Sequence, residues 1–223
     1  MPRVSVKKSN SAEKVSLRQK MYDQIKHEII VGAIPPAQQL SESELSVRYD
    51  VSSTPVREAL TSLVRDKLVE YVPNRGFMVS PVSIRDVQEI YEARVFFEGI
   101  LLRLAIQRIT EAEMRALEKT QEVTYDLGDP KSVDEYFHAN YVFHMTIAAA
   151  SHNSRLISHY QSLLDEAQRL IYMDMRNSNV MPIWHESHER LINAIKNKDE
   201  AAGLATLEEI MENGKRRVLG GYQ

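Results

Sequence analysis

The side chains able to do chemistry cluster in a few places. The first is Ser52-Ser53-Thr54-Pro55, with Arg57 two residues on. Proline suits the first turn of a helix, where its missing N–H costs nothing. Three hydroxyls and the unpaired backbone N–H groups of a helix start suit a phosphate oxygen or a base edge. Arg57, one turn in, carries a guanidinium able to meet guanine in a bidentate contact. The second place is Arg75-Gly76 at the tip of a Pro-Asn-Arg-Gly turn, where the arginine can enter a minor groove or reach the sugar–phosphate backbone. Each residue has a plainer reading. Thr54 and Pro55 can simply cap and start a helix, and Arg57 can form a solvated pair with Glu58. Taken as a block the pattern favours nucleic-acid contact, with Ser53 alone left between the two readings.

Catalytic patterns are missing. With no cysteine there is no disulfide scaffold, Cys-ligated zinc, iron–sulfur cluster or thiol nucleophile. The run His185-Glu186-Ser187-His188-Glu189 spaces its histidines three apart, so the HExxH of zinc proteases is absent. A carboxylate-bridged di-metal bundle needs Glu-x-x-His on two helices, and the chain offers one, Glu135–His138. G-x-S-x-G, P-loop and dinucleotide fingerprints are also absent, which argues against an enzyme.

The elements that must hold these residues follow from periodicity. Leu17, Met21, Ile25 and Ile29 recur every four residues, a helical stripe that stops at Gly32 and Pro35-Pro36. Ser41 caps a short second helix with Glu44 as its capping-box partner, and Leu45 and Tyr49 point inward. Val56, Leu60, Leu63 and Val64 give the helix beginning near Pro55 its buried face. Leu68–Val72 and Phe77–Ser80 then read as a hairpin around Pro73–Gly76. Helix, helix, turn, helix, hairpin is a winged helix-turn-helix. Beyond Pro81 the pattern is helical throughout, over about 83–108, 111–127, 132–151, 154–176, 182–197 and 199–218. The expected fold is therefore mainly α: a winged helix-turn-helix over 17–80 and an antiparallel all-α bundle of six to seven helices over 81–223, with 1–16 as a flexible segment.

Charge divides along the same line. Residues 1–80 hold 12 Lys/Arg and 9 Asp/Glu, net +3, while 81–223 hold 16 and 22, net −6, together the chain's −3. A basic module joined to an acidic one fits a nucleic-acid reader attached to a partner domain. No apolar run approaches a membrane span and the N-terminus lacks the apolar core of a signal peptide, so a cytoplasmic protein without a membrane partner is expected.

The stretch Leu40–Leu60, LSESELSVRYDVSSTPVREAL, with the preceding GAIPPAQQL and following LVEYVPNRGFMV, resembles the GntR superfamily of bacterial transcription regulators. The resemblance covers 17–80. It implies double-stranded operator DNA as partner and Ser52, Ser53, Thr54, Arg57, Arg75 and Gly76 as its contacts. The chain departs from the family where Ser53 stands for the usual arginine, Ser43 for a basic residue and Lys67 for a turn glycine. Direct readout then rests more on Arg57.

Residues 83–218 resemble the FadR-type ligand-sensing (FCD) domain of one subgroup, carried by EARVFFEGILLRLA (92–105), NYVFHMTIAAASHNSRL (140–156) and HERLINAIKNKDEAA (188–202). This implies a homodimer with recognition helices one DNA turn apart, roughly 34 Å, and a small-molecule pocket. Many members hold a divalent metal such as zinc there. Asn140, His144 and His188 match three positions of that set, but the expected third histidine falls on Ile210; His185, one turn from His188, is a substitute only if its helix rotates. The resemblance also implies that Arg94, of the pair Arg94–Glu98, faces the pocket. It is then either a clamp for a carboxylate effector or half of a purely structural ion pair. Without a metal, Arg94, Asn140, His144 and His188 are the candidate site for a small organic acid. The implied activity is a ligand-responsive repressor released from its operator by a small carboxylate-type metabolite, with a DNA-binding dimer whose bundle is only structural, or else a helical metal-dependent enzyme, as the alternatives.

Overall fold

The computed structural model describes residues 16–126, 128–177 and 180–220, so the segment expected to be flexible, 1–16, lies outside them except for Ser16. Helix α1 (Leu17–Ile30) begins where the Ser16 hydroxyl accepts a hydrogen bond from the Gln19 N–H at 3.2 Å, which satisfies one of the orphan donors of a helix start. Met21, Ile25 and Ile29 are its buried stripe. Leu17 is 56% exposed and does not belong to it; spacing marks a face, not how far the neighbouring helix extends along it.

A short strand β1 (Gln39–Leu40), α2 (Glu42–Arg48), α3 (Ser53–Arg65), β2 (Val69–Val72) and β3 (Gly76–Val79) complete the first domain. The sheet order is β1-β3-β2, both pairings antiparallel, with Gln39 opposite Met78 and Val72 opposite Gly76. Strand β1 is not apparent from sequence because two residues are too few to show alternation. The Ser41 hydroxyl accepts from the Glu44 N–H at 3.3 Å, but among the described contacts Glu44 does not return the bond; Ser41 pairs instead with Ser43 at 2.9 Å. Two residues that shape the wing lie in the left-handed region, Asn74 at φ +64° and Gly76 at φ +80°. Ile25, Ile29, Val56, Leu60, Leu63 and Val79 form the core between the helices and the sheet.

Among the described residues six helices follow: α4 (Ile84–Arg108), α5 (Glu111–Lys119), α6 (Pro130–Ala150), α7 (Ser154–Asn177), α8 (Met181–Lys196) and α9 (Glu200–Gly220). Complete capping boxes, Ser83 with Asp86 and Thr110 with Glu113, start α4 and α5. The helix expected over 111–127 ends early. Thr120 turns its hydroxyl onto the Leu117 carbonyl at 2.6 Å and the chain tightens into a 3₁₀ turn at Thr120–Glu122. Helix α4 is the axis of the bundle, packed against α6, α7, α8 and α9. Val87, Leu102, Phe143 and Leu207 anchor one apolar cluster, Leu101, Tyr160, Leu164 and Met175 another. Among the described residues no helix is long and apolar enough to cross a membrane.

The two domains meet along α1 and α7. Ile30, the last residue of α1, packs into the bundle's core. Lys26 pairs with Asp165 at 2.7 Å and Lys67 with Glu166 at 3.1 Å. Arg169 donates to the Ser80 carbonyl at 2.9 Å, which fixes the start of the connection into α4.

Candidate functional site

The exposed start of α3 carries the first group of expected residues. Ser52 is its N-cap in extended conformation, yet its side chain makes no capping bond among the described residues. Ser53 and Thr54 occupy the first turn, and Ser52, Ser53, Thr54 and Arg57 are all exposed. Hydroxyls and unpaired N–H groups thus share one open helix end, where the helix dipole adds a partial positive charge. Arg57 does not pair with Glu58. Its Nε donates to Glu42 of α2 at 2.7 Å, which aims the guanidinium across the helix-turn-helix. Fifteen residues separate the partners, so local spacing gave no sign of this contact.

In the wing, Arg75 is exposed at the tip and its carbonyl accepts a hydrogen bond from Gln39 Nε2 at 2.6 Å. At Gly76 the backbone is left-handed, although a Cβ there would meet nothing within 4 Å. Conformation, not crowding, favours glycine at this position.

The second group converges inside the bundle. Arg94 from α4, Asn140 and His144 from α6, His188 from α8 and Ile210 from α9 line one cavity of about 30 Å³. The positions that the family resemblance pointed to therefore share one wall. Arg94 Nε donates to Glu98 Oε1 at 2.8 Å, and the other carboxylate oxygen, Oε2, lies 3.0 Å from His144 Nδ1. Glu98 therefore bridges two helices, a role its spacing from Arg94 did not reveal. Burial pushes its carboxyl up, but Arg94 and then His144 more than offset this and hold it at about 2. Arg94 sits in the reverse balance: burial disfavours its charge, and the Glu98 carboxylate restores it, leaving the guanidinium above its ordinary range.

His188 stacks on Phe143 with ring centroids 3.8 Å apart, and lies 5.5 Å from His144 at nearly a right angle. Burial, followed by the neighbouring His144, pushes His188 well below the usual imidazole range. His185 is exposed, so it does not take the missing ligand's place. Also on the cavity wall is a pair that sequence reading missed. Asp174 of α7 receives a forked contact from Arg217 of α9, Nε to Oδ1 at 2.8 Å and Nη2 to Oδ2 at 2.8 Å. Forty-three positions separate them, and Arg217 sits in a Lys-Arg-Arg run that looks like a solvated surface. Close approach of α9 to α4 shapes the same wall: a Cβ on Gly214 would stand 3.0 Å from the Tyr91 hydroxyl.

These residues do not fit a resident divalent cation. Among the described residues no group of three or more His, Asp or Glu side chains is disposed to hold one. Ile210 places methyl groups where a third imidazole is required, and Arg94 adds positive charge to the same wall. Hard and borderline cations need anionic or imidazole donors to replace their hydration. The cavity wall carries two guanidiniums, each already paired with a carboxylate, two imidazoles and an amide, donors that an anion could engage only in competition with Glu98 and Asp174.

Comparison with known proteins agrees with this architecture. The family "Bacterial regulatory proteins, gntR family" matches residues 17–79 and the FCD domain family matches residues 89–213. An uncharacterized HTH-type transcriptional regulator of Bacillus subtilis (strain 168), YdhC, is 30% identical over 186 residues, 81% of each chain. The HTH-type transcriptional repressor GlaR of Escherichia coli (strain K12) is 29% identical over 191 residues, 81% of this chain and 86% of its own. Among solved structures, E. coli McbR/YncC superposes with a TM-score of 0.78 at 24% identity, covering 94% of this chain and 100% of that one. A putative GntR regulator from Rhodococcus sp. RHA1 gives 0.72 at 21% identity, over 92% and 99%. The chain belongs to the gntR family of bacterial regulatory proteins, its second half an FCD domain, and is a DNA-binding transcription regulator, not an enzyme.

Proposed function

We propose that this chain is a cytoplasmic, homodimeric repressor that leaves its operator when a small organic acid enters the bundle. The observation that carries the reading is Arg94: a guanidinium 3% exposed on the wall of an internal cavity. Asn140, His144 and His188 stand on the same wall, able to hydrogen-bond the rest of an anion. Ser52, Ser53, Thr54, Arg57, Arg75 and Gly76 are assigned to operator DNA. Phe96 and Ile100, exposed one turn apart on α4 at 72% and 42%, supply an apolar patch for a second copy.

Size implies the coupling. About 30 Å³ holds little more than a water molecule or two, so an organic acid must open the bundle to enter. Binding free energy is then linked to a rearrangement, the requirement for a ligand to shift a conformational equilibrium. Helix α7 carries Asp174 at the cavity and Asp165, Glu166 and Arg169 at the wing-domain junction. Displacement of α7 alters the Ser80–Ser83 connection and the spacing of the two recognition helices, and the operator is released.

The test is thermal melting and operator binding against a panel of small mono- and dicarboxylates. A binding acid raises the melting temperature by mass action and weakens operator affinity. In Arg94→Ala both responses vanish while operator binding without ligand persists; retained induction in that variant places the effector elsewhere. The tight closure of the cavity favours a second reading, a bundle that only dimerises. That reading predicts no melting shift with any acid.

A further inference from the structure

Helices α2 and α3 carry three arginines, Arg48, Arg57 and Arg65. Two of them turn back onto their own domain: Arg48 meets Glu28 of α1 at 2.8 Å, and Arg65 meets Ser62 at 2.9 Å. Arg57 is different. Its side chain is 69% exposed, and its one ion pair reaches from the reading helix to Glu42 at the start of α2. Ser43 and Ser53 carry only hydroxyls and cannot make the forked contact to guanine that a guanidinium makes. How Arg57 is held therefore matters more here than in a reader with several arginines.

A guanidinium offers its N–H groups in one rigid plane. The single N–H of Arg57 Nε goes to Glu42 Oε2 at 2.7 Å, and among the described residues no other N–H of that guanidinium bonds the protein. The groups left are those on Nη1 and Nη2. Of the edges that can fork onto guanine, the side-on edge containing Nε is taken and the end-on Nη1–Nη2 edge is free. Glu42 is itself well placed to hold it. It is the first residue of α2, next to the Ser41 cap, and its side chain is only 25% exposed. An arginine without such a partner can equally lie along a phosphate, a contact that carries no sequence information. The Glu42 carboxylate cancels part of that attraction.

We propose that Glu42 is a specificity-determining positioning residue of the DNA reader: it holds Arg57 end-on for a guanine and away from the phosphates. The proposal rests on the assignment of Arg57 to operator DNA and adds what sets its preference. Holding the side chain beforehand lowers the ordering cost of the right contact. The negative charge makes the wrong contact less favourable, so both routes to discrimination act at one pair. General affinity for DNA is reduced, and preference between sequences is raised.

The experiment uses the full chain and two duplexes, one selected by the unsubstituted chain from a random pool and one of scrambled sequence. Fluorescence anisotropy over a series of salt concentrations reads affinity, and thermal melting checks that each variant folds. Glu42→Ala is expected to weaken binding to the selected duplex by about threefold and to tighten binding to the scrambled one. On the scrambled duplex its plot of log affinity against log salt should steepen by up to about one, as for one added phosphate contact. Glu42→Gln, whose amide oxygen still accepts from Nε, is expected to keep the preference. In an Arg57→Ala background, Glu42→Ala should cause no further loss of preference, because it acts through Arg57. Equal tightening on both duplexes, a Glu42→Gln variant as relaxed as Glu42→Ala, or an additive loss in the double variant would each overturn the proposal. If Arg57→Ala relaxes the preference and Glu42→Ala does not, the proposal alone falls. If Arg57→Ala leaves the preference intact, the assignment of Arg57 to DNA falls and takes the proposal with it.

Discussion

The two polar constellations of this protein are built on opposite terms. At the start of α3 the hydroxyls, backbone N–H groups and Arg57 stand in solvent on a finished scaffold. Around Arg94 the charges are matched and mostly buried, Arg94 to Glu98, which also meets His144, and the partly exposed Arg217 to Asp174. An exposed site can meet its partner with little rearrangement, and its residues are free to change without unfolding the chain. A buried one carries stability and recognition in the same side chains, so its ligand must compete with contacts already made.

The comparison can be broken by substitution and by acid. Glu98→Ala is expected to have the largest effect. It strands a buried guanidinium, which costs about 3–5 kcal/mol of folding stability, and urea unfolding followed by the fluorescence of Trp184 reads it. Trp184 is the chain's one tryptophan and is buried in the bundle, so the signal reports that domain. A loss below about 1 kcal/mol would make the Arg94–Glu98 pair no different from a surface ion pair.

Next is operator binding. Arg57→Ala is expected to weaken specific DNA affinity by about 1–3 kcal/mol and leave the melting temperature unchanged. Fluorescence anisotropy with operator DNA checks the first, calorimetry the second. Unaltered affinity would remove Arg57 from the reading face.

Acid should separate the domains. His188 in the folded bundle lies well below 6.5, so the unfolded chain takes up its proton first. The stability it contributes is complete above pH 6.5 and declines as pH falls below it. Glu98, held at about 2 against an ordinary 4.5, acts in the same direction at lower pH. The Trp184 unfolding midpoint should therefore drop between about pH 7 and pH 5, and drop less in His188→Gln. A pH-independent midpoint would argue that His188 is not held neutral by its surroundings. The smallest effect belongs to Glu42→Ala. It frees Arg57 from an exposed pair worth at most about 1 kcal/mol, and folding stability should barely move.

The same contrast governs what could be read in advance. Helical stripes, cap residues and the start of α3 are local, and Ser41 and the Pro55 first turn are visible within a few positions. Arg94, Asn140, His144 and His188 were singled out by their match to the family's pattern, with Asn140 and His144 also sharing a helix face at i, i+4. Their partners were not. The bridge from Glu98 to His144, the fork from Arg217 to Asp174 and the pair from Arg57 to Glu42 depend on which helices become neighbours, a property of tertiary packing. The exposure of Leu17 and the early end of α5 are of the same kind: a periodic pattern continues where the packing does not.

Lys67 gives this architecture a further property. It follows α3 in the left-handed region, at φ +56°, where a non-glycine residue is strained by about 1–2 kcal/mol, and its ammonium is held by Glu166 of α7. The 13-residue α3 is about 20 Å long, with the exposed Ser53 end assigned above to operator DNA and the other end followed by the Lys67–Glu166 pair to the bundle. A shift of about 1.5 Å at the Lys67 end tilts a helix of that length by roughly 4°. In the regulation proposed above, a shift of α7 is passed to α3 along that helix's own axis through the Lys67–Glu166 pair, besides the connecting segment before α4.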